Sequence, residues 1–234
     1  MKNKILIILP TYNEEKNILK LFNRIKLLKI NISYLFINDD STDKTYEIIK
    51  EIKEKNKKKI YLIHRKKRNG VGKAHKDALT WAYKKKFNFA LTMDTDLTHD
   101  PLYIPKILKI KNNYDLIVGS RYLKKNSISN WSFLRVFLSN GAHYMTKLLF
   151  KLDVDSTNSF RLYNLNKIKK NFIKKTKSND YDFFYTSLIY INLNKNTIGQ
   201  IPMSLKNRHK GVSKMYLSHV IKSIINMFIL YFKI

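Results

Sequence analysis

The chain has no cysteine, so neither a disulfide nor a thiolate metal site can take part in its fold or chemistry. It is poor in arginine: seven of its 46 basic residues are arginine and the other 39 are lysine. It has no glutamate after Glu54. Its first apolar run, Ile5 to Leu9, is too short for the apolar region of a secretory signal and is broken by Pro10, so the chain is expected to start in the cytoplasm. A formal charge of +29 points to nucleic acid or an anionic membrane surface as partner. The lysines, however, are spread along almost the whole chain instead of forming a stripe. A nucleic-acid-binding module therefore stands as the alternative of a different class, and nucleic acid is not the expected partner. Scarce arginine is the more informative cation. Arg121, Arg135, Arg161 and Arg208 lie in the second half, where a planar bidentate phosphate binder has a use.

Against those absences stands the stretch from Ala90 to Pro101. Apolar and β-prone residues end in Asp94 and Asp96, and a polar turn and a proline follow, which reads as a buried strand ending at a site. Period-two geometry puts Asp94 and Asp96 on one side of an extended segment. Carboxylates so placed repel unless a cation lies between them, and a hard divalent ion, Mg2+ or Mn2+, with phosphate oxygens suits the gap. The plainer reading is a solvated strand-to-turn junction.

Strand and helix patterns alternate before that point. Ile5–Leu9, Tyr34–Asn38 and Lys59–His64 read as strands, separated by helical patterns from about Asn17 to Leu28 and from a cap at Asp43 to about Lys53. A glycine-bearing turn at Gly70–Gly72 opens a third helix running to about Lys85. That turn lacks dinucleotide-binding spacing and reads either as a simple turn or as a phosphate contact. Such alternation implies an α/β domain with parallel βαβ units and ligands at the carboxyl ends of the strands. Those ends gather Tyr12, Glu14, Asp39, Lys73, Asp94 and Asp96. Asp115–Gly119 is a further strand, and Trp131–Phe150 reads as an amphipathic helix carrying Arg135, Ser139, His143 and Thr146 on its polar side. Another strand ends near Pro202. The loop Lys206–Lys214 then clusters cations around Gly211 and suits an anionic phosphate. The last helical pattern, Leu217–Phe232, separates Ser218, His219, Lys222, Ser223 and Asn226 from Val220, Ile221, Ile224, Ile225 and Phe228. At about 1.5 Å per residue it falls short of the roughly 30 Å hydrocarbon core, so it reads as an interfacial helix or a buried core helix.

Taken together, Ile8–Glu14, Asn38–Thr45, Asp94–Pro101, Gly119–Tyr122, Trp131 with Arg135 and Ser139, and Arg208–Lys214 resemble family-two GT-A glycosyltransferases, most of all the polyprenol-phosphate (dolichyl-phosphate) sugar synthases. The resemblance implies a mixed, mostly parallel, Rossmann-like sheet. It implies a catalytic domain over 1–214 and an interfacial helix over 215–234. Pro10, Tyr12, Glu14, Ile37 and Asp39 would line the nucleotide pocket with Lys73, Asp94, Thr95, Asp96 and Thr98. Asp94 and Asp96 would hold the metal. Arg121, Arg135, Ser139, Arg208 and Lys214 would handle phosphates or the acceptor, with Asp96, Arg121 and Arg135 closest to the chemistry. The implied reaction is inverting transfer of a hexose, with mannose from GDP-mannose as first choice, to a polyprenyl or dolichyl phosphate by an enzyme peripherally bound to the cytoplasmic face of a membrane. A UDP-glucose type of donor or a glycan acceptor is the alternative. Asn38, Thr98, Thr157–Arg161 and Thr186 depart from the family pattern.

One physical argument bears on the acceptor. A sugar hydroxyl needs a general base, and after Asp96 the only carboxylates are Asp100, Asp115, Asp153, Asp155, Asp180 and Asp182, without the Glu-Asp pair that related inverting enzymes use. A phosphate monoester, with a second pKa of about 6, is already an anionic nucleophile.

Overall fold

The computed structural model describes residues 4–125, 127–128, 133–206 and 217–234, with the backbone alone at 133–135 and 217–218. Its centre is a seven-stranded sheet in the order β3-β2-β1-β4-β6-β5-β7. The strands are β1 (Ile5–Thr11), β2 (Ser33–Asp39), β3 (Ile60–Arg65), β4 (Phe89–Thr92), β5 (Leu116–Ser120), β6 (Arg161–Asn164) and β7 (Ile198–Pro202). All run parallel except β6, which is antiparallel to both its neighbours, β4 and β5. The mixed, mostly parallel sheet expected from the resemblance is what the chain forms.

The helices are α1 (Ile18–Lys26), α2 (Thr45–Lys55), α3 (Val71–Lys84), α4 (Tyr103–Lys109), α5 (Phe133–Phe150), α6 (Asn171–Lys175), α7 (Phe183–Leu193) and α8 (Leu217–Tyr231). They cover both faces, so central strands are buried on both sides and read as unbroken apolar runs. Leu6, Ile8, Leu35 and Ile37 pack with Ala74, Ala78, Phe183 and Leu188 on one face. Ile7, Leu9, Tyr34 and Phe36 pack with Leu21, Ile25, Ile49 and Ile104 on the other. The sequence did not mark α4, a short helix that begins two residues after Pro101. The Asp43 side chain accepts the Thr45 backbone N–H at 3.0 Å, the expected role of a residue at the start of α2, although the capping position itself falls on Lys44.

The helix α8 is turned opposite to an ordinary surface helix. Its polar side faces the protein: Lys222 Nζ meets Asp180 Oδ2 at 3.0 Å, Asn226 donates to Asp182 at 2.8 Å, and the Ser223 carbonyl accepts the Tyr185 hydroxyl at 2.9 Å. Met227 and Leu230 enter the core, but Ile221, Ile225, Phe228 and Phe232 are exposed. The neighbouring α5, whose Phe150 ring packs edge-on against Tyr231 at 6.0 Å, behaves alike. Phe137, Tyr144 and Leu148 on α5 are each more than 60 % exposed, while Thr146 is buried and bonds Ser156. Among the described residues, no helix is long and apolar enough to cross a membrane.

Candidate active site

Because six strands run parallel, the carboxyl ends of β1, β2, β4 and β5 open on one edge of the sheet, and the start of antiparallel β6 opens there too. Three of these ends carry a non-glycine residue in left-handed backbone: Asn13 (φ 53°), Asp40 (φ 58°) and Leu97 (φ 66°). Leucine has no side-chain hydrogen bond to offset that conformation, which costs on the order of 1–3 kcal/mol. Such strain persists only where surrounding contacts hold it. Here they do. Asn13 and Thr42 exchange hydrogen bonds at 2.9 and 3.2 Å, zipping the β1 loop to the β2 loop, and Glu14 N–H donates to Thr45 Oγ1 at 2.7 Å.

At the end of β4, the Asp94 side chain is 40 % exposed and accepts a 2.7 Å hydrogen bond from Ser159 Oγ. Asp96 is buried, and one of its oxygens accepts both the Thr98 hydroxyl at 2.7 Å and the Thr98 N–H at 3.0 Å. Between them, Thr95 Oγ1 donates to the Pro10 carbonyl at 3.1 Å, which ties the Asp-x-Asp segment to β1. His99 Nδ1 accepts the Asp94 backbone N–H at 3.0 Å. That nitrogen therefore carries no proton, and its 3.8 Å approach to the Asp94 carboxylate is not an ion pair. The donor set fits a hard divalent cation, with two carboxylates each oriented by a hydroxyl. No third His, Asp or Glu joins them among the described residues, which leaves coordination positions for diphosphate oxygens and water, as Mg2+ and Mn2+ prefer.

At the end of β2, buried Asp39 lies 3.3 Å from Arg65 Nε. Burial pushes its pKa up, opposed by Arg65, the Asn69 backbone N–H and Arg68, with a net rise. Arg68 lies over the Tyr12 ring, 4.1 Å from its centroid. Lys73 turns to Asp77 at 2.5 Å, and Asp77 also faces Arg65 at 3.9 Å, so among the described residues Lys73 joins the cluster through that pair. Ile37 is fully buried in the apolar core, and its carbonyl accepts the Thr11 hydroxyl at 2.9 Å. Glu14 is buried and accepts the Asn17 amide at 2.7 Å.

The glycine turn has a packing role. Gly70 sits at φ 88°, and a Cβ there would come within 2.3 Å of the Asn179 carbonyl oxygen; at Gly72 it would come within 2.5 Å of the Asp180 oxygen. Beyond the two readings left open for this turn, a simple turn or a phosphate contact, its glycines serve close approach to the backbone at Asn179 and Asp180.

Arg121 is directed inward. Its Nε and Nη2 form a two-pronged pair with Asp155 at 2.8 and 2.7 Å, and Nη2 also reaches Thr157 Oγ1 at 2.5 Å. Burial alone would raise the Asp155 pKa, but Arg121 outweighs it and holds the carboxyl below its ordinary value. The expectation that Arg121 presents its guanidinium to a phosphate thus meets a buried ion pair, and its visible work is to hold the 155–157 segment. Ser139 meets the Tyr122 hydroxyl at 3.1 Å, with His143 stacked on the Tyr122 ring at 3.8 Å, so α5 is docked on the end of β5. Arg135 lies one helical turn before Ser139 on α5, with its side chain outside the described residues, as are Arg208 and Lys214.

The sequence did not single out Ser159, Thr157 and Asp155 as site residues. They reach the site because β6 inserts between β4 and β5. Buried Arg161, bonded to the carbonyls of Ser156, Asn158 and Phe184 at 2.6 to 2.7 Å, fixes the segment before that strand. The run Thr157–Arg161 had stood out as aligned with a family motif, and that was the available signal.

Compared with known proteins, residues 6–172 match the family described as glycosyl transferase family 2. A dolichol-phosphate mannosyltransferase of Pyrococcus furiosus is 30% identical over 93% of this chain, which spans 62% of that relative's length. A polyprenol monophosphomannose synthase of Mycolicibacterium smegmatis is 26% identical over 93% of this chain and 83% of its own. Among solved structures, the glucosyl-3-phosphoglycerate synthase of Mycobacterium tuberculosis, in complex with Mn2+, uridine diphosphate and glucosyl-3-phosphoglycerate, superposes with a TM-score of 0.70. The identity is 15%, with 98% of this chain and 80% of that one covered. The same enzyme with Mg2+ and uridine diphosphate gives a TM-score of 0.67 at 14% identity, covering 96% and 79%. The shared fold is the GT-A fold.

Proposed function

The chain belongs to glycosyl transferase family 2, and from that premise we propose that this glycosyltransferase moves a mannosyl residue from GDP-mannose to a polyprenyl or dolichyl phosphate, with inversion, at a membrane surface. The names of the two relatives support the donor sugar and the lipid acceptor.

The observation that carries the acceptor class is the state of the carboxylates. After Asp96 each one is committed to a partner. Asp100 pairs with Arg24 at 2.8 Å and Lys206 at 2.6 Å, Asp115 with Lys167 at 3.3 Å, and Asp153 with Lys147 at 2.7 Å. Asp155 pairs with Arg121 at 2.7 Å and Asp180 with Lys222 at 3.0 Å, while Asp182 accepts from Asn226 at 2.8 Å. None stands as a general base for a sugar hydroxyl. A phosphate monoester, already anionic near neutral pH, needs no base and reacts once it is positioned.

In this reading the end of β2 and Tyr12 hold the nucleoside, and Asp94 and Asp96 hold a divalent cation, which when bound neutralises the leaving diphosphate. Ser159 and Thr98 fix the two carboxylates. Arg135, Ser139, Arg208 and Lys214 are assigned to the acceptor side, with Arg121 supporting them from within. The outward apolar faces of α5 and α8, on a chain with a charge of +29, suit the interface of an anionic bilayer and would bring the lipid headgroup to the strand ends.

The test compares transfer from GDP-mannose to a short polyprenyl phosphate and to the corresponding free alcohol, beside a panel of other nucleotide sugars. Transfer to the phosphate alone is expected. Equal transfer to both acceptors would refute the phosphate nucleophile, and a preference for another sugar nucleotide would replace the donor.

A further inference from the structure

The sheet has a free edge at β3. The strand order ends there, so among the described residues β3 pairs with β2 alone. The Tyr34 N–H donates to the Lys59 carbonyl at 2.8 Å, which sets the phase of that ladder. Tyr61, Ile63 and Arg65 therefore turn their backbone groups to β2, and Ile60, Leu62 and His64 turn theirs outward. An edge strand of six residues without proline is a ready template for another extended segment.

A cleft of about 470 Å³ lies beside these outward residues, between β3 and α2. Leu62 gives it an apolar wall, and the Tyr46 and His64 rings, 4.4 Å apart, close one end. The Asn38 amide donates to His64 Nδ1 at 2.9 Å, which leaves the imidazole proton on Nε2 as a donor. Lys50 and Lys53 on α2 and Lys57 in the turn after it line the same cleft, against one acid, Glu54. All three lysines are exposed and make no ion pair among the described residues. Lysines that merely guard an edge flank the strand itself, as Lys59 and Lys66 do. Lys50 and Lys53 stand on the neighbouring helix, where they add charge to the cleft and nothing to that guard. On its other face β3 presents Tyr61, which packs on Trp81 with ring centroids 4.7 Å apart and is only partly buried.

We propose that this edge binds an acidic segment of a partner protein in extended form, added to β3 as a further strand. The outward backbone groups of Leu62 and His64 would pair with its main chain. Alternate side chains of an added strand fall on opposite faces. Carboxylates on one face would meet Lys50, Lys53 and Lys57, and apolar side chains on the other would cover Tyr61. A second copy of this chain, with a charge of +29, is repelled from such a face. A nucleic acid would match the lysines but has no use for the free backbone of β3 or for Tyr61.

The probe is a fluorescein-labelled six-residue peptide of alternating glutamate and valine, titrated against the full chain by fluorescence anisotropy, with hydrogen exchange read at single amides. Binding is expected, with slowed exchange at Leu62 and His64. Methylating the peptide's backbone nitrogens removes its donors to β3 and should weaken binding by about 10-fold or more. Lys50→Glu with Lys53→Glu should weaken it by about 5- to 30-fold, because each reversal turns an attraction into a repulsion of similar size. Both lysines are exposed, so an unchanged thermal midpoint controls for folding. Absence of binding, or binding without protection at Leu62 and His64, would overturn the proposal. So would an affinity that methylation leaves intact and that an all-glutamate peptide matches, since that is attraction by charge alone. A short DNA duplex that slows the same amides and displaces the peptide would make the edge a nucleic-acid contact and overturn it as well.

Discussion

Ser159 donates a 2.7 Å hydrogen bond to the carboxylate of Asp94, across 65 positions of sequence. The bond fixes which way an acid at the end of β4 points, and it exists only because an antiparallel strand lies beside that one. A hydroxyl holding a metal-binding carboxylate is worth about 10- to 100-fold in metal affinity. Ser159→Ala should therefore raise the Mg2+ or Mn2+ concentration for half-maximal transfer by about that factor while leaving the saturated rate closer to normal. A metal titration of activity reads this directly, and an unchanged midpoint would detach Ser159 from the site.

Asp96→Ala should abolish transfer and leave the thermal midpoint nearly unchanged, since it removes charge from the proposed cation site and no apolar volume from the core. Full activity in excess chelator, or in this variant, would end the metal assignment.

The Arg121–Asp155 pair is buried on both sides. Asp155→Asn leaves a buried guanidinium without its countercharge, a loss of about 3–5 kcal/mol. Urea unfolding should show it as a fall in midpoint with little change in slope. A variant as stable as the parent would mean that Arg121 is free to turn toward a ligand.

Acid sensitivity follows from the same pairs. Burial pushes Asp155 and Asp100 up, but Arg121 in the first case, and Lys206, the Leu102 N–H and Arg24 in the second, hold both carboxyls below their ordinary values. A group whose folded pKa lies below its unfolded value of about 3.9 contributes stability that is fully present above that value. The contribution is lost as pH falls through the folded value. Stability should be insensitive to these two groups from pH 7 down to about 5 and should fall below about 4. Asp100→Asn should flatten that acid limb in urea midpoints measured across the range, and an unaltered limb would contradict it.

The exposed faces of α5 and α8 give a folding-neutral test of membrane docking. Ile225→Glu with Phe228→Glu alters side chains that are already exposed, so the urea midpoint should hold while sedimentation with anionic vesicles falls. Truncating α8 is the poorer experiment because Met227 and Leu230 belong to the core. Undiminished vesicle binding by the double variant would place the membrane contact elsewhere.

The sequence by itself determined where β1, β2, β3 and β5 begin and end to within about two residues, and that acids follow β1, β2 and β4. An apolar run that stops at a polar cluster is a local property that the sheet only confirms. It also showed that α8 is two-sided. Only the tertiary structure decided which side of α8 meets the protein, because amphipathicity records that two faces differ and not what covers each. Only the tertiary structure, too, decided that Arg121 turns inward to Asp155 and that Ser159 orients Asp94. Both depend on β6 entering between β4 and β5 in the reverse direction, and strand order is set by long-range pairing that no local period records.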